Sequence, residues 1–427
     1  MTNSASFVRA LSAALILLFI TSANTYGENI ALLTVAPESV GVDSQGIENL
    51  SKGMSKTVED GNVAGIVTMM ARNGKVVHFE AAGYQDIENQ VTMKKDTIFR
   101  IFSMTKPVTG VALSILLEQG KFKLSDPVAS YIPEFANLKV AKAEGPDGMP
   151  ILEDAHHKMT IQELMSHTGG LTYGFFSQSQ TDTLYQQAGV LDQTGTLKDM
   201  IDKLAKLPLR QQPGSAWHYS VSVDVQGYLV EVLSGKRFDV FLQDEIFNPL
   251  GMTDTGFSVA PENAGRLARN YTPANGKLVS RENSQYLKPA TFFSGGGGLT
   301  STATDYMKFA QMLANGGELN GVRILSEDSV ALLRTNKLPP DIEDIGGFFG
   351  GNQFGLDVAI VTDSKKNAGM SVGSYWWWGV AGTWFWVDPV ENVVFVGMIQ
   401  NMALPVSRGI HASSERLVYS SLIKNSQ

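Results

Sequence analysis

The chain of 427 residues contains no cysteine. That absence excludes disulfides, thiolate zinc sites, iron–sulfur clusters and a cysteine nucleophile. Positive charge is also scarce: 34 Lys and Arg against 42 Asp and Glu leave a formal charge of −8. Nucleic acid and anionic lipid both attract basic surfaces, so neither is expected as the main partner. No stretch reaches the ~18–20 apolar residues that a membrane-crossing helix needs. The longest apolar run, residues 10–20 (ALSAALILLFI), follows Arg9 and precedes small residues at 21–23. It is too short to span hydrocarbon and fits the core of a secretory signal. The expectation is a leader over residues 1–27, and a mature chain that is exported, periplasmic or secreted, and has no stable membrane span. The HExxH, P-loop and GxGxxG patterns are missing as well, so the functions they mark lose their main support. His156 and His157 follow Glu153 and Asp154, but no third spaced ligand accompanies them. They read as a solvated loop, and neither a metal nor a cofactor is expected.

What is present is ordinary globular material, 43% hydrophobic and 18% charged. The length suits two or three domain-sized units or one large body with an insertion. Residues 43–60 read as a helix capped by Asp43 or Ser44, with Ile47, Leu50, Met54 and Val58 on one face. Residues 65–71 (GIVTMMA) and 76–82 (VVHFEAA) flank Arg72-Asn73-Gly74-Lys75, a strong hairpin signal. Residues 104–119 form a long apolar helix that stops at Gly120. Residues 121–284 change character: helical segments at 160–166, 196–206, 222–234 and 238–247 dominate. Strands return at 355–361, 384–387 and 393–398, the last two joined by the turn 388–392, and a closing helix covers 410–423. This order predicts an α+β body with an antiparallel sheet flanked by helices, formed by residues 28–120 and 285–427. A mostly helical domain, residues 121–284, is inserted into it.

The chemistry centres on Phe102-Ser103-Met104-Thr105-Lys106-Pro107. Three residues apart on a helix, Ser103 and Lys106 share one face. A serine hydroxyl is a poor nucleophile until a base takes its proton, and a buried lysine can be that base. Pro107 is tolerated only in a first turn, so it pins a helix start beside Ser103, where free N–H groups favour an oxyanion. The plainer reading of such a spacing is a capped helix with a solvated lysine. A second copy, Ser421 to Lys424, lies in the polar tail and reads as chance. Trp217-His218-Tyr219-Ser220-Val221 places a tyrosine beside a helix start, where it can shuttle a proton or simply pack. Trp376-Trp377-Trp378-Gly379-Val380-Ala381-Gly382-Thr383 offers small residues on a strand, which let a substrate approach the backbone. An N–H there can complete an oxyanion hole with that of Ser103, although some of these tryptophans serve as core. Tyr173, Phe175 and Phe176 are candidate walls of an acyl pocket. His167 reads as structural, His218 as a neighbour able to tune Tyr219, and Asp224 as a residue that caps or stabilises the helix after Tyr219 rather than doing chemistry.

The order Ser-x-x-Lys, Tyr-Ser loop, aromatic-Gly strand resembles the serine β-lactamase and penicillin-binding-protein superfamily. Its class C-like branch, and within it the family VIII carboxylesterases, is most similar. Residues 164–171 (LMSHTGGL), 248–252 (NPLGM) and 295–299 (GGGGL) support the resemblance, which spans roughly residues 40–420. It implies a β-lactamase-like fold, with Ser103 as acylating nucleophile, Lys106 as its base and Tyr219 as proton relay. The backbone N–H of Val380 is implied as second oxyanion donor, in a strand motif aligned with Trp377-Trp378-Gly379. Two departures stand out. Val221 replaces an asparagine that hydrogen-bonds a substrate amide, and Trp377 replaces a lysine that binds a substrate carboxylate. Losing such contacts costs on the order of 1–3 kcal/mol each. The expected activity is therefore hydrolysis of short-chain, neutral carboxylic esters through an acyl-enzyme, with Trp378 narrowing the cleft. A β-lactamase or D-amino-acid peptidase is the alternative, and an inactive cell-wall or partner-binding protein a third.

Overall fold

The computed structural model describes residues 32–281 and 284–423. The leader expected at 1–27 and Lys424 of the second Ser-x-x-Lys lie outside the described residues. An eight-stranded sheet forms the centre. Its strands are β1 (Gly65–Arg72), β2 (Lys75–Asp86), β3 (Val91–Thr92), β4 (Asn352–Phe354), β5 (Ala359–Val361), β6 (Tyr375–Trp378), β7 (Trp384–Asp388) and β8 (Val393–Met398). Their spatial order is β4-β5-β6-β7-β8-β1-β2-β3, and every pairing is antiparallel. Both expected turns are present. Asn73 and Gly74 take positive φ between β1 and β2, as an Asn-Gly hairpin demands. Between β7 and β8 the Asp388 carboxylate accepts from the amides of Val390 and Glu391.

Helices cover both faces. On one lie α1 (Ser44–Glu59) and α5 (Leu404–Ser421); on the other lie α2 (Thr105–Glu118) and α4 (Ala303–Ala314). Asp43 caps α1 by accepting from the amides of Gln45 and Gly46. Gly46 lets α1 meet α5 closely, because a Cβ there would lie 2.5 Å from that of Ser421. Strand alternation sorts side chains into two cores. Ile66, Met70, Trp384, Trp386 and Phe395 face α1 and α5, while Val67, Met69, Phe385, Val396 and Tyr375 face α2 and α4.

Three expectations are corrected. The strand read at 355–361 is instead a hairpin, β4 and β5, because the chain folds back at Gly355, whose N–H donates to Val358 O, and Asp357 takes φ +61°. The closing helix begins at Leu404 rather than 410, with a proline in its first turn. Residues 121–284 hold the expected helices, Ile161–Met165, Leu197–Leu204 and α3 (Ser222–Ser234). They also hold two antiparallel ribbons, Lys139–Ala143 with Ile151–Asp154 and Tyr271–Ala274 with Lys277–Ser280, that the helical reading passed over.

Candidate active site

Ser103 sits in a single 3-10 turn, Phe102–Met104, that runs directly into α2. Phe102 has φ +43°, a left-handed conformation that costs energy in a bulky residue and is held here by its surroundings. Those surroundings are hydrogen-bonded on every side. Ile101 N–H donates to Leu299 O, Thr383 Oγ1 donates to Ile101 O, and Tyr306 Oη on α4 donates to Met104 O. The start of α2 is thus fixed by the sheet, by α4 and by the glycine run 295–298.

Lys106 is fully buried one turn along α2. Its Nζ lies 3.3 Å from Ser103 Oγ, 2.8 Å from Tyr173 Oη and 2.6 Å from Gly296 O. A carbonyl can only accept, so one N–H of Lys106 is committed to Gly296. A second N–H reaches Tyr173. The third contact of Nζ is the Ser103 hydroxyl, so the amine stands within reach of the proton that a general base would have to take.

Tyr219 approaches from the other side. Lys106 Nζ stands 4.4 Å from the centre of its ring, and the rings of Tyr173, His167 and Trp377 lie 5.3, 4.9 and 5.5 Å away. Its hydroxyl is buried and has no hydrogen-bond partner among the described residues. Burial first, then the neighbouring Tyr219, Asp224 and Asp357, push the Tyr173 phenol far above its ordinary value, so Tyr173 stays protonated. Asp224, in the first turn of α3, does not cap that helix. Its Oδ1 accepts from Ser294 Oγ at 2.5 Å and from Gly296 N at 3.1 Å. Burial raises its carboxyl, against the opposing pull of Lys106.

The oxyanion side is set by Gly379. A Cβ there would run into the carbonyl of Ile101 and the hydroxyl of Thr383, so only glycine lets this strand end abut the nucleophile segment. The Gly379 N–H is spent on Thr383 O at 2.7 Å. The amides of Ser103 and Val380 have no protein acceptor among the described residues, and both residues border one cleft. That cleft measures about 670 Å³ and is walled by Tyr173, Phe175, Phe176, Trp217, Phe349 and Trp377. Among the described residues Asp224 is the one carboxylate in its lining, and none of them is lysine or arginine.

The structure brings together Ser103, Lys106, Tyr219, Gly379, Val380 and Trp377. It separates two others. Trp378 lies one residue along the pleat from Trp377, so its ring turns to the opposite face, toward His411 of α5, and only edges the cleft. The narrowing expected of Trp378 therefore falls to Trp377, whose ring stacks on Phe349 at 5.4 Å. Val221 is fully buried in the core beneath the cleft, where its carbonyl accepts from Asp224 and Val225, and it presents no side chain to a substrate. His167 is structural: burial holds it far below its usual range, and Nδ1 meets Ser220 Oγ at 3.2 Å. His218 does not tune Tyr219 through a hydrogen bond; its Nε2 meets Thr172 Oγ1 at 3.1 Å. His157 pairs with Glu163 on the surface. The contact of Tyr173 with Lys106 was missed. The signal available was the tyrosine directly after the Gly169-Gly170-Leu171-Thr172 turn.

The family described as Beta-lactamase matches residues 50–419. An uncharacterized protein of Mycobacterium tuberculosis is 35% identical over 354 residues, 80% of this chain and 86% of its own length. Esterase EstB of Burkholderia gladioli is 26% identical over 388 residues, covering 84% of this chain and 93% of the esterase. Among solved structures, EstCE1, a hydrolase with promiscuous acyltransferase activity, superposes with a TM-score of 0.75. It is 26% identical, over 88% of this chain and 99% of its own.

Proposed function

Because this chain belongs to the Beta-lactamase family and is a serine hydrolase of the carboxylesterase type, we propose that it cleaves neutral, apolar carboxylic esters through an acyl-enzyme on Ser103. Lys106 takes the proton from Ser103 as the hydroxyl attacks the ester carbonyl. The amides of Ser103 and Val380 receive the oxyanion, each such donor being worth about 3 kcal/mol in the transition state. Tyr219 passes the proton to the departing alkoxide, and water then attacks the acyl-enzyme with the roles reversed.

One observation carries the substrate class: the aromatic cleft beside Ser103, whose lining holds no cation to pair with a substrate carboxylate. Similarity to an esterase and to a hydrolase with acyltransferase activity supports the same reading. The short-acyl expectation rested on Trp378, which faces away. The cleft volume far exceeds a butyryl group, so the proposal extends to esters with one bulky apolar half.

The test is a fluorophosphonate label followed by steady-state rates. Wild type labels and Ser103→Ala does not; p-nitrophenyl butyrate is cleaved much faster than nitrocefin. Labelling that survives Ser103→Ala, or faster turnover of nitrocefin, overturns the assignment.

A further inference from the structure

The base in this site depends on a carbonyl for its aim. Gly296 O accepts from Lys106 Nζ at 2.6 Å, the shortest of the three contacts of that nitrogen. If Gly296 moves, Lys106 Nζ loses the contact that holds it beside Ser103. A run of glycines has no side chains of its own to hold such a carbonyl in place, and glycine is the most mobile of backbones. Something outside the run must fix it.

Two side chains do. Thr109 Oγ1, one turn beyond Lys106 on α2, donates to Gly295 O at 2.8 Å. Asp224 on α3 receives Ser294 Oγ and the N–H of Gly296 on the same oxygen, Oδ1. Gly296 is thereby clamped through its N–H to one helix and through its C=O to Lys106. The fit leaves no room for change: a Cβ at 296 would lie 2.5 Å from Asp224 Oδ2 and 3.0 Å from Tyr173 Oη. Asp224 is 1% exposed, and Oδ2 has no partner among the described residues. A buried carboxylate oxygen left unpaired is costly. Helix capping does not account for the residue, since α3 takes no side-chain cap from it.

We propose that Asp224 is a positioning residue for acylation: through Ser294 and Gly296 it holds the carbonyl that directs Lys106 at Ser103. This rests on the reading of Ser103 and Lys106 as nucleophile and base. It predicts that the strap sets the rate of acyl-enzyme formation while leaving substrate affinity nearly alone.

The experiment uses the full chain with p-nitrophenyl butyrate, reading pre-steady-state acylation, KM and thermal unfolding for Asp224→Ala, Asp224→Asn and Ser294→Ala. Asparagine keeps an acceptor oxygen for Ser294 and Gly296, so it should restore most of what alanine loses. The expected losses in acylation rate are about 100-fold for Asp224→Ala, about 10-fold for Ser294→Ala and less than 10-fold for Asp224→Asn, the span set by losing one to two net hydrogen bonds to a charged group. KM should stay within about threefold, since only transition-state interactions are removed. Should Asp224→Ala fail to fold, Ser294→Ala reads the strap by itself. An unchanged acylation rate in Ser294→Ala, a loss confined to KM, or an Asp224→Asn as impaired as Asp224→Ala overturns the proposal. Fluorophosphonate labelling of Ser103→Ala is run alongside. Label retained there defeats the reading of the nucleophile, whereas label lost there with normal acylation in the strap variants defeats only the role of Asp224.

Discussion

The two sides of the nucleophile are built differently. On the lysine side the polar groups are tied to one another: Lys106 meets Ser103, Tyr173 and Gly296, and Asp224 Oδ1 holds Gly296 in turn. On the tyrosine side, Tyr219 stands among aromatic rings and its hydroxyl has no hydrogen-bond partner among the described residues. In the proposed mechanism this means that the base is placed before substrate arrives, whereas the relay finds its partner only when a leaving group is present. On that reading, preorganisation is concentrated where the serine proton leaves, and the relay side is left adaptable.

Three substitutions test this contrast, in falling order of effect. Lys106→Ala should lower kcat/KM by about 10²–10⁴, the usual range for losing a general base. An unchanged value would place the base elsewhere. Tyr219→Phe should lower turnover about 100-fold yet leave stability within about 0.5 kcal/mol, because the deleted hydroxyl has no partner to lose. Stopped-flow rates beside urea unfolding separate the two quantities, and a parallel loss of both would contradict a free hydroxyl. Tyr173→Phe should cost about tenfold in acylation and about 1 kcal/mol in stability, since a bonded partner of Lys106 disappears. If Tyr173→Phe were the more damaging to catalysis of the two phenols, the division between a wired base and a loose relay would be reversed.

At the lip of the cleft the expected effect is smaller. Phe175 and Phe176 are 59% and 53% exposed, and their rings pack on Tyr173 at 5.1 and 5.7 Å. The loop beneath them is tied down by Asp182, which accepts from Thr172, Ser179 and Arg210. Phe175→Ala or Phe176→Ala should raise KM for apolar esters about 3- to 10-fold with little change in kcat, through lost apolar contact worth about 1 kcal/mol. A fall in kcat at constant KM would show that these rings act on Tyr173 rather than on substrate.

Much of this was legible in the residues. Asn73-Gly74 marked its hairpin, Asp43 its helix start, and the spacing of Ser103 and Lys106 the reactive corner, because each depends on neighbours within one turn. Tyr173, 67 residues from Lys106, and the clasp between Asp224 and Gly296 depend on how distant segments meet, which no local pattern encodes. The orientation of Trp377 and Trp378 was within reach: once residues 375–378 are read as a strand, alternation alone sends the two rings to opposite faces. Val221 was misjudged for a similar reason, since its place in a motif says nothing of its burial at the residue that precedes α3.

The same alternation has an optical consequence. Of the six tryptophans, Trp217 and Trp377 stand in the cleft wall, with Trp377 beside Tyr219. Trp384 and Trp386 are enclosed behind the sheet, and Trp376 and Trp378 pack toward them. The difference between the wild-type emission and that of Trp377→Phe would isolate the signal of a tryptophan that borders whatever fills the cleft. On the proposed mechanism the fold therefore carries its own gauge of acyl-enzyme accumulation, readable without any coloured substrate.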